Sequence, residues 1–130
     1  MIIINVILGI LIWNCLFGVQ NGLHCGLVGF SSAKGANIDK LKFLLFMNQK
    51  RGEDSLGHYS IDTTDKESKG SIQKFKGKPE DVLVHKEFNI PVCNLFIGHV
   101  RQATIGGVSA NNAHPFKHGN IVLAMNGTIS

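Results

Sequence analysis

The sequence predicts a single α+β domain. Five short apolar runs have the length of β-strands, two segments carry the start signals of helices, and a polar loop joins two of the runs as in a hairpin. The chain has 130 residues, of which 44% are hydrophobic, so it is long enough to form one domain with a buried core.

The first strand and the first helix are predicted directly after residue 24. Residues 25–31 indicate a buried strand, and a turn at 31–35 follows it. Asn37 is a good N-cap for a helix that runs through about Gln49, and Gly52 would end that helix. The predicted apolar side of the helix consists of Ile38, Leu41, Leu44, Leu45 and Phe46.

Four further strands and a short helix complete the predicted domain. A polar loop at 63–70 joins two of these strands in a hairpin, and Pro79 marks the first turn of a helix that starts at Lys78. The four strands are predicted at 56–63, 71–75, 93–100 and 120–125.

Composition and charge exclude several classes of function. The formal net charge of +4 comes from scattered basic residues without a nucleic-acid motif, so no nucleic-acid partner is expected. Cys15, Cys25 and Cys93 are odd in number and form no CxxC pair, which argues against a disulfide framework or a structural zinc site. A reducing compartment, the cytoplasm, is therefore expected.

The N-terminal segment is unusual because residues 1–33 contain no Asp, Glu, Lys or Arg. Residues 1–17 are nearly all apolar, but the run is short for a membrane span of about 20 residues. It resembles the core of a signal peptide without the basic start or the small residues before a cleavage site. Residues 1–24 are thus a signal or anchor segment, a removable leader or propeptide, or a start assigned too far upstream. Membrane association is expected only through residues 1–17.

Polar, reactive or glycine residues cluster at the ends of apolar elements, where a rigid scaffold presents binding groups. These stretches are CGLVGF from Cys25, NQKRGEDSLG at 48–57, GHVRQATIGG at 98–107, and NAHPF at 112–116 followed by MNGTIS at 125–130.

Each stretch alone has a plain structural alternative. Cys25 can be a small core residue, and Arg51 and Asp54 can form an ion pair at a helix end. Arg101 can be a surface residue, and Asn126–Gly127 is a common type I′ turn dipeptide. His114 and His118 have H-x3-H spacing, but no third ligand lies nearby in the sequence, so no metal is expected.

In combination and in this order, the stretches resemble the glutaminase domain of class II glutamine amidotransferases, which are N-terminal nucleophile hydrolases. The resemblance is closest to the glucosamine-6-phosphate synthase (glutamine–fructose-6-phosphate aminotransferase) type. The family patterns C-G-[IV]-[VF]-G, R-G-x-D-[SA]-x-G, G-H-x-R-[WY]-[AS]-T, N-A-[HQ]-P and N-G-x-[IL] correspond to residues 25–29, 51–57, 98–104, 112–115 and 126–129, apart from Leu27 in the first pattern and Gln102 at the aromatic position of the third.

The resemblance implies a four-layer α/β/β/α sandwich, of which residues 25–130 are only the N-terminal part. The family's domain continues beyond this point and supplies an aspartate for the glutamine α-amino group. The chain is therefore expected to be a fragment that lacks this aspartate and the synthase or acceptor domain.

The resemblance also implies a mechanism without a cofactor. The thiol of Cys25 attacks the side-chain amide of glutamine, the α-amino group of the same residue is the base, and ammonia leaves from a γ-glutamyl thioester. An α-amine has a pKa of about 7.7–8.0 and a thiol of about 8.5, so the two can exchange a proton near neutral pH. The base exists only when residues 1–24 have been removed.

The other roles follow by motif position. The Asn126 side chain and the Gly127 N–H are implied to form the oxyanion hole, and Arg101 to bind the glutamine α-carboxylate. Thr104 and His114 are implied to line the pocket. Arg51 and Asp54 are implied to give structural support to the site.

Gln102 stands in place of an aromatic residue of the family, and Ile105 stands in place of a histidine. One alternative function is a non-catalytic truncated or membrane-tethered domain. Another is an N-terminal nucleophile amidohydrolase for a different amide, although Arg101 favours a substrate with an amino-acid carboxylate.

Overall fold

The structure is a computed structural model that describes residues 24–127. The predicted leader, apart from His24, and the last two positions of the N-G-x-[IL] motif lie outside these residues. The fold is α+β, as predicted. Its elements in chain order are β1 (Gly26–Ser31), α1 (Ile38–Met47), a 3₁₀ helix (Asn48–Arg51), β2 (Ser55–Ile61), β3 (Ser71–Lys76), α2 (Pro79–Leu83), β4 (Leu95–Arg101), β5 (Phe116–His118) and β6 (Ile121–Leu123).

Four strands form one antiparallel sheet in the order β1-β4-β2-β3. β4 lies between β1 and β2, so that Gly26 is opposite Val100 and Ser55 is opposite Arg101. The start of β1, the start of β2 and the end of β4 therefore meet at one edge of the sheet. Three of the sequence motifs are brought together by this register.

The two helices cover one face of the sheet and enclose the hydrophobic core. The Asn37 side chain caps α1 by accepting a hydrogen bond from the Lys40 N–H at 2.9 Å. Cys93 is buried and acts as a small apolar residue of this core. The buried core residues are Val28, Leu41, Leu45, Leu56, Val82, Phe88, Ile90, Cys93, Phe96 and Val100.

Helix α1 differs from its prediction in length and in its apolar side. It ends at Met47, and the 3₁₀ helix carries the chain on to Gly52. Leu44 and Phe46 were predicted to face the core but are 44% and 42% exposed. The reason is geometric, since a helix on one face of a sheet buries only a narrow stripe.

The chain after β4 also departs from the prediction. β5 was not predicted, because its three residues, Phe-Lys-His, show no strand periodicity of their own. It pairs with β6 as a two-stranded hairpin, and β6 ends at Leu123 rather than at Met125. The other strand predictions are confirmed with shifts of one or two residues at their ends.

This hairpin and the loop before it are anchored on the sheet face opposite the helices. The Lys74 Nζ lies 4.3 Å from the centre of the Phe116 ring, and the Lys117 Nζ lies 5.6 Å from that of Tyr59. Gly57 lets the backbone of His114 approach, since a Cβ on Gly57 would lie 2.2 Å from the His114 carbonyl oxygen. Across residues 24–127, no helix has the length and apolar character needed to cross a membrane.

A histidine, His58, is enclosed in the hydrophobic core. Its ring stacks on Phe96 with 5.5 Å between centroids and meets the edge of Phe88 at 5.3 Å. The Nε2 atom lies 3.4 Å from the Gln73 Oε1. Burial lowers the pKa of His58 from 6.5 to about 4. The fold therefore has its full stability above pH 6.5 and loses this contribution as the pH falls from 6.5 through about 4.

We expect the variant His58→Phe to remove this pH dependence. Phenylalanine keeps the ring packing and cannot be protonated, while the Gln73 Oε1 keeps the Asn89 N–H as a donor at 2.9 Å. Urea unfolding should give free energies within about 1.5 kcal/mol of the parent at pH 7. Between pH 7 and 4 the parent should lose about 3 kcal/mol more than the variant. Equal losses in the two proteins would contradict this account.

Candidate active site

A cleft of about 410 Å³ lies where β1, β4 and the chain after β6 meet. Six of the eight residues predicted for the site line it, and the other two, Arg51 and Asp54, lie behind its wall. The lining residues are His24, Cys25, Arg101, Gln102, Thr104, Ile105, Gly106, Asn112, His114, Phe116, Met125, Asn126 and Gly127.

Cys25 directly precedes β1 at the edge of the sheet. Its side chain is half-buried and lines the cleft, so the alternative of a core cysteine is wrong. The Sγ atom lies 3.6 Å from the Gln102 carbonyl oxygen, to which the thiol can donate. The antiparallel pairing of β1 with β4 produces this contact, because it sets Cys25 beside the residue that follows Arg101.

The backbone around Cys25 is fixed by the 3₁₀ helix. The Arg51 Nε donates a hydrogen bond to the Cys25 carbonyl oxygen at 3.2 Å. Gly26 packs against the same helix, since a Cβ there would lie 2.6 Å from the Asn48 Oδ1 and from the Val100 Cγ2. Arg51 thus touches the cysteine only through the main chain.

Asp54 fixes the turn that follows β4. Its Oδ2 accepts a hydrogen bond from the Ala103 N–H at 2.7 Å, and its own N–H donates to the Arg101 carbonyl at 3.0 Å. Gly52 leaves room for this turn, because a Cβ on it would lie 2.5 Å from the Arg101 carbonyl carbon. Arg51 and Asp54 form no salt bridge with each other, so the ion-pair alternative is wrong.

We expect Asp54→Ala to destabilise this turn. The Ala103 N–H would lose a charged acceptor, which costs about 1.5–3 kcal/mol in free energy of unfolding. Asp54→Asn keeps a side-chain oxygen at the same place and should recover at least half of that loss. Urea unfolding of the three proteins at pH 7 measures both effects. A variant Asp54→Ala as stable as the parent would rule out this role for the carboxylate.

The guanidinium of Arg101 lies in the cleft wall and is held in place by carbonyl groups. Its Nη2 donates to the Ile105 oxygen at 2.8 Å and its Nη1 to the Gly107 oxygen at 3.3 Å. The Asn112 Nδ2 donates to the same Gly107 oxygen at 2.9 Å. Arg101 is half-buried and bonded to the loop beyond it, so the alternative of an ordinary surface residue is wrong. Thr104 is exposed on this loop at the rim of the cleft.

His114 and His99 meet below the floor of the cleft, with their ring centroids 4.4 Å apart. The Met125 N–H donates to the His114 Nδ1 at 3.4 Å, and the His99 Nε2 lies 3.1 Å from the Met125 carbonyl oxygen. Burial is the main cause that lowers the pKa of His99 to about 3, and it also lowers the pKa of His114. Sequence reasoning gave His99 no role. Its position two residues before Arg101, on the same face of β4, was the available signal.

Asn126 and Gly127 form the far wall of the cleft, directly after Met125. Gly127 has a φ of 141°, whereas the φ of Asn126 is not positive. A type I′ turn needs positive φ at both positions, so that alternative for the dipeptide is wrong. Among residues 24–127, no three His, Cys, Asp or Glu side chains come together as a metal site would require.

Comparison with known proteins gives relatives that share most of this chain. The glutamine–fructose-6-phosphate aminotransferase of Sulfurisphaera tokodaii is 36% identical over 113 residues, which are 81% of this chain and 18% of that protein. The corresponding enzyme of Methanococcus maripaludis is 37% identical over 108 residues, or 82% and 17%. The amidophosphoribosyltransferase of Archaeoglobus fulgidus is 33% identical over 110 residues, or 81% and 23%.

By this similarity the chain belongs to the class II glutamine amidotransferases. It spans about a fifth of the length of these relatives. No family model matches the chain, and no solved structure gives a significant match.

The cleft of this amidotransferase family member contains the groups that amide chemistry needs. The residues that line it bring a thiol at Cys25, a side-chain amide and a backbone N–H at Asn126 and Gly127, and a guanidinium at Arg101. A thiol, two hydrogen-bond donors and a fixed cation in one cavity suit the attack on the amide of a substrate that also carries a carboxylate.

Proposed function

We propose that this chain is the glutaminase part of a class II glutamine amidotransferase and hydrolyses glutamine to glutamate and ammonia. The observation that carries the proposal is that Cys25, Arg101 and Asn126–Gly127 line one cleft although they are far apart in the sequence. The cleft volume of about 410 Å³ lies in the range of small-molecule sites.

Arg101 is proposed to bind the α-carboxylate of glutamine. The carbonyl oxygens of Ile105 and Gly107 hold its guanidinium plane before the ligand arrives. A fixed guanidinium loses little conformational entropy on binding and presents two parallel N–H groups to a carboxylate. The side-chain amide of the bound glutamine would then lie toward Cys25.

The reaction is proposed to begin with attack of the Cys25 sulfur on the amide carbon. The thiol proton passes to the α-amino group of Cys25, and the negative charge on the amide oxygen is stabilised by the Asn126 side-chain N–H and the Gly127 N–H. The amine then returns the proton to the nitrogen, the carbon–nitrogen bond breaks, and ammonia leaves a γ-glutamyl thioester. Attack of water on the thioester releases glutamate and restores the thiol.

This mechanism needs a free amine on Cys25, because an amide nitrogen is not a base. We therefore propose that residues 1–24 are removed by cleavage between His24 and Cys25. His24 and Cys25 both line the cleft, so the new amino terminus would be formed beside the thiol. Arg51 would keep the main chain of Cys25 in place after cleavage through its bond to the carbonyl oxygen.

The sheet with helices on one face is proposed to be the first half of a four-layer sandwich. Among the described residues, the β5–β6 hairpin and the loop before it contact its other face. The rest of the sandwich and the synthase domain that accepts the ammonia are proposed to lie outside this sequence, in keeping with the length of the relatives.

Ammonia and glutamate release from L-glutamine tests the proposal. The intact mass of the same sample identifies the first residue of the chain. A sample that begins at Cys25 should release both products in equal amounts, and a glutamine analogue without the α-carboxylate should react much more slowly. A sample that begins at Cys25 and releases no ammonia would overturn the proposal.

A further inference from the structure

The main chain of Met125 is held at its N–H and at its carbonyl group by two histidines. The His99 Nε2 lies 3.1 Å from its carbonyl oxygen, and its N–H donates to the His114 Nδ1 at 3.4 Å. Met125 is the residue directly before Asn126. A displacement of the Met125 main chain would therefore move both proposed oxyanion donors.

The two rings are themselves fixed by the sheet. His99 is 1% exposed and lies between Leu27 of β1 and Gly57 of β2 in the strand register. The backbone of His114 packs on Gly57 without room for a Cβ. Its ring contacts the His99 ring on one side and Phe116 on another, at 4.4 and 4.7 Å between centroids.

These hydrogen bonds define the protonation of both rings. Donation to the Met125 carbonyl requires the proton of His99 on Nε2, and acceptance from the Met125 N–H requires a bare Nδ1 on His114. A bare Nδ1 makes the His114 ring neutral, whereas the state of His99 follows from its other nitrogen. The buried Nδ1 of His99 has no hydrogen-bond partner among the described residues, and a neutral lone pair tolerates this position better than a charged N–H.

We propose that His99 and His114 are positioning residues, here called the histidine clamp, which hold the main chain of Met125 and thereby aim the Asn126 and Gly127 donors at the substrate amide. The inference rests on the proposed glutaminase function. Neither ring is assigned a contact with the reacting atoms.

The charges around the clamp favour its neutral form. Among the described residues, Arg101 of β4 and Lys74 of β3 face the pair, while β1 and β2 present no charged side chain on this face. Two cations and burial disfavour an imidazolium at His114. Protonation of its Nδ1 would replace the acceptor by a donor and release the Met125 N–H, so the clamp should open only below the ordinary histidine range.

Nuclear magnetic resonance on the full chain tests the clamp without any reaction. At pH 7.5, ring nitrogen shifts should give both histidines as neutral rings with the proton on Nε2. In His114→Leu, hydrogen exchange of the Met125 amide should accelerate at least tenfold, and the order parameter of the Gly127 N–H should fall. His114→Gln offers a side-chain oxygen to the same N–H and should restore both values. His118→Leu changes an exposed histidine of β5 and is the matched control.

Kinetics test the consequence for glutamine hydrolysis. His114→Leu should lower kcat about 10- to 100-fold with less than a threefold change in KM, because the loss concerns the transition state. His114→Gln should recover most of kcat and remove the acidic limb of the pH profile that His114 causes. Unchanged Met125 exchange and Gly127 order in His114→Leu, or a loss of both with kcat intact, would overturn the clamp. A parent chain that fails to hydrolyse glutamine while its Met125 protection depends on His114 would refute the proposed function and leave the clamp supported.

Discussion

Replacement of Cys25 by alanine is expected to reduce glutamine hydrolysis at least about a thousandfold, because Cys25 supplies the only thiol among the described residues that line the cleft. The variant should fold like the parent, since the cysteine side chain is only half-buried and its carbonyl, not its thiol, makes the bond to Arg51. Release of ammonia and glutamate measures the activity, and the urea midpoint measures the fold.

The matched control for this variant is Cys93→Ala. Cys93 is a buried thiol in the core, far from the cleft lining, so its replacement should leave kcat unchanged and cost about 1 kcal/mol in free energy of unfolding. If Cys25→Ala retained the parent rate, or if Cys93→Ala lost it, the assignment of the nucleophile would be wrong.

Gly57→Ala is expected to give the largest loss of stability, about 3 kcal/mol. The added Cβ would lie 2.2 Å from the His114 carbonyl oxygen and 3.0 Å from the Gln73 carbonyl oxygen. Both obstacles are main-chain atoms, so neither can rotate away. The loop that carries His114 would have to leave the sheet, and the cleft floor would move with it.

A second glycine provides the comparison. A Cβ on Gly107 would meet no atom within 4 Å, and the φ of Gly107 is not positive. Gly107→Ala should therefore change the free energy of unfolding by less than about 0.5 kcal/mol. Urea midpoints of the parent and both variants decide the question. Equal midpoints for the two variants would show that the close approach at Gly57 is not a constraint.

Local signals predicted the elements that depend on local structure. The Asn37 cap predicted the start of α1 and the turn at 31–35 predicted the end of β1, because each signal acts on its own neighbours. β5 could not be found this way, since it exists through its pairing with β6 and its cation–π contact with Lys74. The exposure of Leu44 likewise depends on how α1 lies on the sheet.

The distinction between local and long-range signals also applies to the site. The family resemblance pointed to Cys25 and Arg101, and the register of β1 with β4 brings them to one edge of the sheet. The separate main-chain contacts of Asp54 and the bond from His99 to Met125 join residues 26 or more positions apart in the chain. The ion-pair alternative for Asp54 was therefore corrected by the structure alone. For His99, its place two residues before Arg101 indicated the face of β4 but not its partner Met125.

The most direct test of the glutaminase mechanism is the intact mass of the protein after incubation with a glutamine analogue that carries a diazoketone in place of the side-chain amide. We expect a chain that begins at Cys25 and carries one adduct on the Cys25 sulfur. L-Glutamine in the incubation should prevent this adduct from forming. An adduct-free chain, or an adduct on a chain that still contains residues 1–24, would contradict a mechanism in which the free amine of Cys25 activates its own thiol.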